Sequence, residues 1–199
     1  VSDETSKQEL SERLGLIESM IAEGRRTTER WGWVFVLWGV AYYVAILWSS
    51  VGHFVGAWPA TMIAAWLLTT LIAWRKTRTQ PRTTMGRAVA AIWAAMGVSM
   101  MLLFPALGIS GRIDEYIMIS VAATMLGMAN GASAILLRWR LQFGCAVIWW
   151  ATAVYACFGR STPVAVVFLG AIFVCLIVFG AYGMVADAQQ SKLRGAANA

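Results

Sequence analysis

Five stretches of this chain contain no Asp, Glu, Lys or Arg: Trp31 to Trp74, Ala88 to Gly111, Tyr116 to Leu137, Leu141 to Gly159, and Ser161 to Ala186. A helix rises about 1.5 Å per residue and the bilayer's hydrocarbon core is about 30 Å thick, so roughly 20 apolar residues span it. The first stretch is long enough for two spans, with GHF and WP at 52–59 supplying the break, and each of the others holds one. The expected fold is all-α: a polytopic integral membrane protein with six transmembrane helices near 31–49, 58–74, 87–107, 116–137, 141–158 and 163–186. The alternative is a large soluble helical core. Soluble helices keep a polar face, and these segments do not. Charge makes up 13% of the 199 residues, against about 25% in an ordinary soluble domain.

With six spans, both termini lie on one side of the membrane. All the basic residues except Arg112 and Arg160 fall on that side. The positive-inside rule then makes both termini cytoplasmic, and a bacterial inner membrane is the expected location. The pI near 9.7 reports orientation and anionic headgroups rather than nucleic acid, which is not an expected partner. The basic linker RKTRTQPRTTMGR at 75–87 reads as a headgroup-facing loop. The polar, acidic opening VSDETSKQELSE lacks the basic start and apolar stretch of a cleavable signal. Three domains are expected: a cytoplasmic amphipathic helix at 1–30, the bundle at 31–186 and a cytoplasmic tail at 187–199.

Taken in pairs, the spans form three hairpins, 31–74, 87–137 and 141–186. Each leaves the cytoplasm, turns outside and returns, so successive units keep one orientation, as in a parallel internal repeat. Tryptophans mark the outgoing helices. Trp38, Trp93 and Trp149 recur at spacings of 55 and 56 residues, each six to eight residues into its span. That is a common depth of roughly 9–12 Å. Their packing reading is helix and lipid contact. Their functional reading, together with Asn130 in the fourth span, is the lining of a pore or of a site for an apolar or cationic ligand. Trp31, Trp33, Trp74 and Trp139 are placed at the inner interface, and Trp48 and Trp58 at the outer one, as an aromatic belt.

In the fourth span, Ala123, Gly127 and Gly131 repeat at fours and contain a GxxxG. Small residues at that spacing let helices approach closely. Ala91, Ala95 and Ser99 of the third span share it, so the third and fourth spans are expected to pack tightly. Asn130 needs a hydrogen-bond partner, and an interhelical bond is expected. All four prolines sit near span ends or in loops. Discontinuous transporter helices usually break near mid-membrane.

Residues 6–30 predict a helix opened by the capping box Ser6 to Glu9. Leu10, Leu14, Ile17 and Ile21 then follow on one stripe. The stripe suits a short coiled coil, a cytoplasmic protein partner, the chain's own basic linkers or the membrane surface. The acidic residues disfavour lying flat on anionic lipid.

The chain lacks the groups that several chemistries need. His53, in the first outer loop, is the single histidine. Paired-histidine haem ligation and multi-histidine zinc sites are thereby excluded. Cys145, Cys157 and Cys175 fall in spans as small apolar residues without metal or disulfide spacing. No carboxylate lies inside a span, which disfavours proton coupling. No phosphate-binding glycine loop is present, and no cofactor or catalytic constellation is expected. His53, Arg112, Asp114, Glu115 and Arg160 form an outer polar cap, read as solvated surface.

The three-hairpin plan, with WVFVLWGVAYYVAIL followed by WPATMIAAWLL, resembles the HdeD-type acid-resistance membrane proteins of bacteria. The resemblance lies in topology and implies no functional residue. The expected function is a non-enzymatic scaffold or sensor acting through the 6–30 helix and the basic loop. A facilitator or channel for a small neutral or weakly cationic solute is the alternative.

Overall fold

The structure is a computed structural model describing residues 2–52, 56–77, 84–111, 114–158 and 161–197. The elements are α1 (Ser2–Arg30), α2 (Gly32–Gly52), α3 (Ala57–Thr77), α4 (Thr84–Ile109), α5 (Glu115–Leu137), α6 (Arg140–Phe158), α7 (Ser161–Ile172) and α8 (Phe179–Ala197). A π-helical turn, Phe173–Val178, joins α7 to α8. Six helical stretches among the described residues are long and apolar enough to cross a membrane, and they mark an integral membrane protein.

The punctuation explains the boundaries. Pro59 and Pro163 sit in the first turns of α3 and α7, where a missing N–H deprives the helix of nothing. Pro105 lies inside α4, close to its end. Ser6 is not the cap expected for α1, because the helix already runs from Ser2. One residue, Trp31, separates α1 from α2. Its N–H donates to Thr28 O at 3.0 Å and its carbonyl accepts from Val34 N–H at 2.9 Å, a tight turn rather than a continuous helix.

The buried core is built from α5, α6, α2 and the α7–α8 rod, with Trp149, Ile172, Cys175 and Leu176 at its centre. Burial is uneven: 56% of the span in α5 lies inside the protein, but 11% of that in α3 and 6% of that in α4. Helix α3 leans on α2, and α4 leans on α5 and α1, leaving their outer faces to the surroundings. The most extensive helix pair is α5 with α6, which belong to different predicted hairpins.

Two glycine seams set these distances. At Gly127 an added Cβ would collide with Trp150 Cδ1, and at Gly131 it would stand 2.9 Å from Trp150 Cη2. The small stripe of the fourth span thus cradles an indole from the fifth. Helices α4 and α5 do touch, but Ala91, Ala95 and Ser99 are exposed. The expected small-residue contact between the third and fourth spans is not made. A bulky ring fills the glycine groove from α6 instead. Ala123 is fully buried.

The second seam joins α2 to α8. A Cβ at Gly32 would stand 2.6 Å from the carbonyl oxygen of Gly180, so the two backbones are in direct contact.

Candidate functional site

Helix α5 ends before the basic pair at its C-terminus, and it does so on Arg138, in the left-handed region at φ 48° and ψ 42°. Arg138 N–H donates to Ile135 O at 3.2 Å and Trp139 N–H to Ala134 O at 2.9 Å. This is a Schellman arrangement with arginine where glycine is usual. The last carbonyls of α5 still need donors. They are supplied from α1: Arg25 Nε donates to Leu137 O at 2.6 Å, and Arg25 Nη2 donates to Arg138 O. A cation at a helix C-terminus is also favoured by the macrodipole.

The rest of the contact follows from this clamp. Gly24 is buried against Leu137 and Met85, where a side chain would meet Leu137 Cδ2 at 2.6 Å. Thr28 is buried and returns its hydroxyl to Gly24 O at 3.1 Å. Farther along, Gln190 of α8 donates to Glu29 Oε2 at 3.2 Å, and Arg30 lies 3.7 Å from Asp187. Burial, and then the charge of Asp187, push the Glu29 carboxyl above the usual carboxylate range.

The C-terminal half of α1 is therefore fastened to the bundle, and the N-terminal half is not. Leu10, Leu14 and Ile17 are 60%, 55% and 53% exposed, and Leu16 and Met20 are also exposed. Ile21 is half-buried where the docked half begins.

Trp38, Trp93, Trp149 and Asn130 all adjoin or lie within the bundle core, but their polar atoms turn to different neighbours. Trp38 Nε1 donates to Thr69 Oγ1 of α3 at 3.2 Å. Trp93 Nε1 donates to Ser133 Oγ of α5 at 3.1 Å. In both cases an outgoing helix bonds to the hydroxyl of the helix that returns beside it. Trp149 breaks the pattern. It is fully buried, packs on Phe168 with ring centroids 6.0 Å apart, and its Nε1 has no partner among the described residues. Asn130 donates from Nδ2 to Leu126 O of its own helix at 2.9 Å; among the described residues the expected interhelical bond is not made and Oδ1 has no partner. Rings continue outward from Trp93, through Phe35 at 5.0 Å and Phe179 at 5.3 Å to Trp139, another 5.3 Å on. Trp139 is thus part of the core wall as well as of the boundary.

Three features leave little trace in the sequence. Arg25 carries no mark distinguishing it from its neighbours Arg26 and Arg30. Gln142 is fully buried, with neither amide atom partnered among the described residues, and its place near a span end conceals this. Gly32 and Gly180 lie far apart in the chain. The signal that could have found the last pair is the run of glycines at 32, 39, 180 and 183. His53, Arg112, Arg160 and the middle of the basic loop, 78–83, lie outside the described residues.

Comparison with protein families, curated proteins and solved structures finds no match.

Proposed function

We propose that the chain is a non-enzymatic integral membrane scaffold or sensor, working through its N-terminal amphipathic helix and the basic loop. In this reading it lies in a bacterial inner membrane, with both termini cytoplasmic and its six spans arranged as three hairpins of common orientation. The observation that supports it is the division of α1: residues 21–30 are held to α5, α4 and α8, while Leu10, Leu14 and Ile17 face outward. A helix fixed at one end and apolar along an exposed stripe presents a surface for a second copy or a cytoplasmic protein. Deleting residues 1–20 spares the docked segment. The reading expects that deletion to lower the oligomeric mass in detergent or to release a co-purifying protein. An unchanged mass together with an unchanged partner set would discard it.

A second reading rests on a different observation. Asn130 Oδ1, Trp149 Nε1 and both amide atoms of Gln142 are buried without partners among the described residues. Each such group costs about 1–3 kcal/mol unless something bonds it. A small neutral or weakly cationic solute passing through the bundle would do so. Proteoliposome flux across a broad solute panel tests this reading, and a uniformly silent panel counts against it.

A further inference from the structure

A groove of about 680 Å³ runs between α1 and the α5–α6 turn. Arg25, Arg138 and Arg140 line it, with Glu18 contributing the one carboxylate. Arg25 is committed to the carbonyls of α5. Arg138 and Arg140 are exposed, and among the described residues neither side chain is in an ion pair.

The groove sits where two spans meet the membrane boundary, because α5 ends at Leu137 and α6 begins at Arg140. Its wall is apolar at Ile135 and Phe143. From Phe143 an exposed strip continues down α6 through Val147, Trp150 and Val154, one face of the helix over roughly 16 Å. Phe143 and Trp150 are in edge contact along it, with centroids 6.3 Å apart. A soluble anion has use for the arginines but none for this strip. A phospholipid uses both.

We propose that the groove binds the headgroup phosphate of an anionic phospholipid, paired with Arg138 and Arg140, with an acyl chain lying along Phe143, Val147, Trp150 and Val154. Glu18 repels a phosphate and so confines it to the side of the two free arginines. Basic pockets between helices at a membrane boundary suit such headgroups. The inference is independent of what binds the free half of α1.

Native mass spectrometry of the full-length protein tests it, using phosphatidylglycerol, phosphatidylcholine and soluble glycerol phosphate as probes. The variant is Arg138→Asn with Arg140→Gln, because asparagine tolerates the left-handed backbone at 138. Phosphatidylglycerol is retained over phosphatidylcholine, and each arginine removed lowers its retention about fivefold. Lys192→Gln with Arg194→Gln removes two charges near the C-terminal end of α8, outside the lining of the groove, and leaves retention within about twofold, because the attraction falls off within a Debye length. Equal loss in that control overturns the proposal in favour of diffuse surface charge. Retention unchanged in the groove variant also overturns it, as does displacement of the lipid by glycerol phosphate at equal concentration. Should the double variant not fold, Arg140→Gln alone and the competition on the unmodified protein distinguish the same outcomes.

Discussion

A single methyl group at position 32 should loosen the seam between α2 and α8. The Cβ of Gly32→Ala would lie 2.6 Å from Gly180 O and 3.0 Å from Met184 N. Carbon and oxygen settle at about 3.3–3.6 Å, so the helices must separate by about 0.7 Å at the contact. Both obstacles are backbone, so no rotamer change relieves them. Gaps of 0.5–1 Å forfeit about a quarter to a half of each dispersion contact, and overpacking of this kind costs about 1–3 kcal/mol. Alanine returns up to about 1 kcal/mol of helix propensity, leaving a net loss of about 0–2 kcal/mol against the parent, and the full clash cost of about 1–3 kcal/mol against an alanine variant that meets no obstacle. Gly180→Ala meets the same seam from the other side, with Gly32 O at 2.7 Å and Phe35 Cβ at 2.9 Å. Because one separation relieves both clashes, the double variant loses less than the two single losses added together. SDS titration in mixed micelles, followed by tryptophan fluorescence, reads all three. Gly97→Ala is the reference, since nothing lies within 4 Å of its added Cβ. If Gly32→Ala were as stable as Gly97→Ala, or the pair strictly additive, the argument from backbone contact would be refuted.

Three further outcomes follow from the same structure. Gly127→Ala clashes with a side chain rather than a backbone. It should lose about 1–3 kcal/mol alone, yet fall within about 0.5 kcal/mol of the parent in a Trp150→Leu background; an equal loss in both backgrounds would contradict the cradle. Arg25→Ala removes two hydrogen bonds from a guanidinium, each worth about 1.5–3 kcal/mol. Amides of residues 21–28 should then exchange at least tenfold faster, and unchanged protection would mean that Arg25 is not the clamp. The Glu29 carboxyl is raised by burial and by Asp187, so the folded state favours its protonated form. Its contribution to docking is fully present below the ordinary carboxylate value and is lost as pH rises through the raised one. Exchange protection at 27–30 should fall across that window and lose this dependence in Glu29→Gln, whereas a slope that survives the substitution assigns it elsewhere.

The spans were legible because a bilayer's thickness acts directly on composition: charge-free stretches of the right length need no knowledge of what packs on what. Inside those spans hydropathy goes silent. A helix that is apolar all round carries no stripe to say which face is buried, so the centrality of α5 and the marginal packing of α3 and α4 could not be read from it. Size carried more information. The spacing of Gly127 and Gly131 marks a groove, but a groove does not name what fills it, and in the structure Trp150 lies against both glycines. Trp38 and Trp93 share a role, each bonding a hydroxyl on the helix that follows. Trp149 shares only their spacing in the chain, because hydrogen-bond partners depend on a neighbour's sequence and not on the tryptophan's own position.

The same contrast explains how α1 is attached. The sequence marks its apolar stripe, yet Leu10, Leu14 and Ile17 stay exposed, and the attachment runs through Arg25 to the end carbonyls of α5. Carbonyls at a helix terminus are present whatever the side chains, so this partner leaves no trace in residue type. The consequence is energetic. A helix held by burying its stripe would resist changes of charge, whereas one held by an arginine clamp and the charged cluster of Glu29, Arg30 and Asp187 responds to them. The docking of α1 is therefore expected to respond to pH, through Glu29, more than to changes in the hydrophobicity of its exposed stripe.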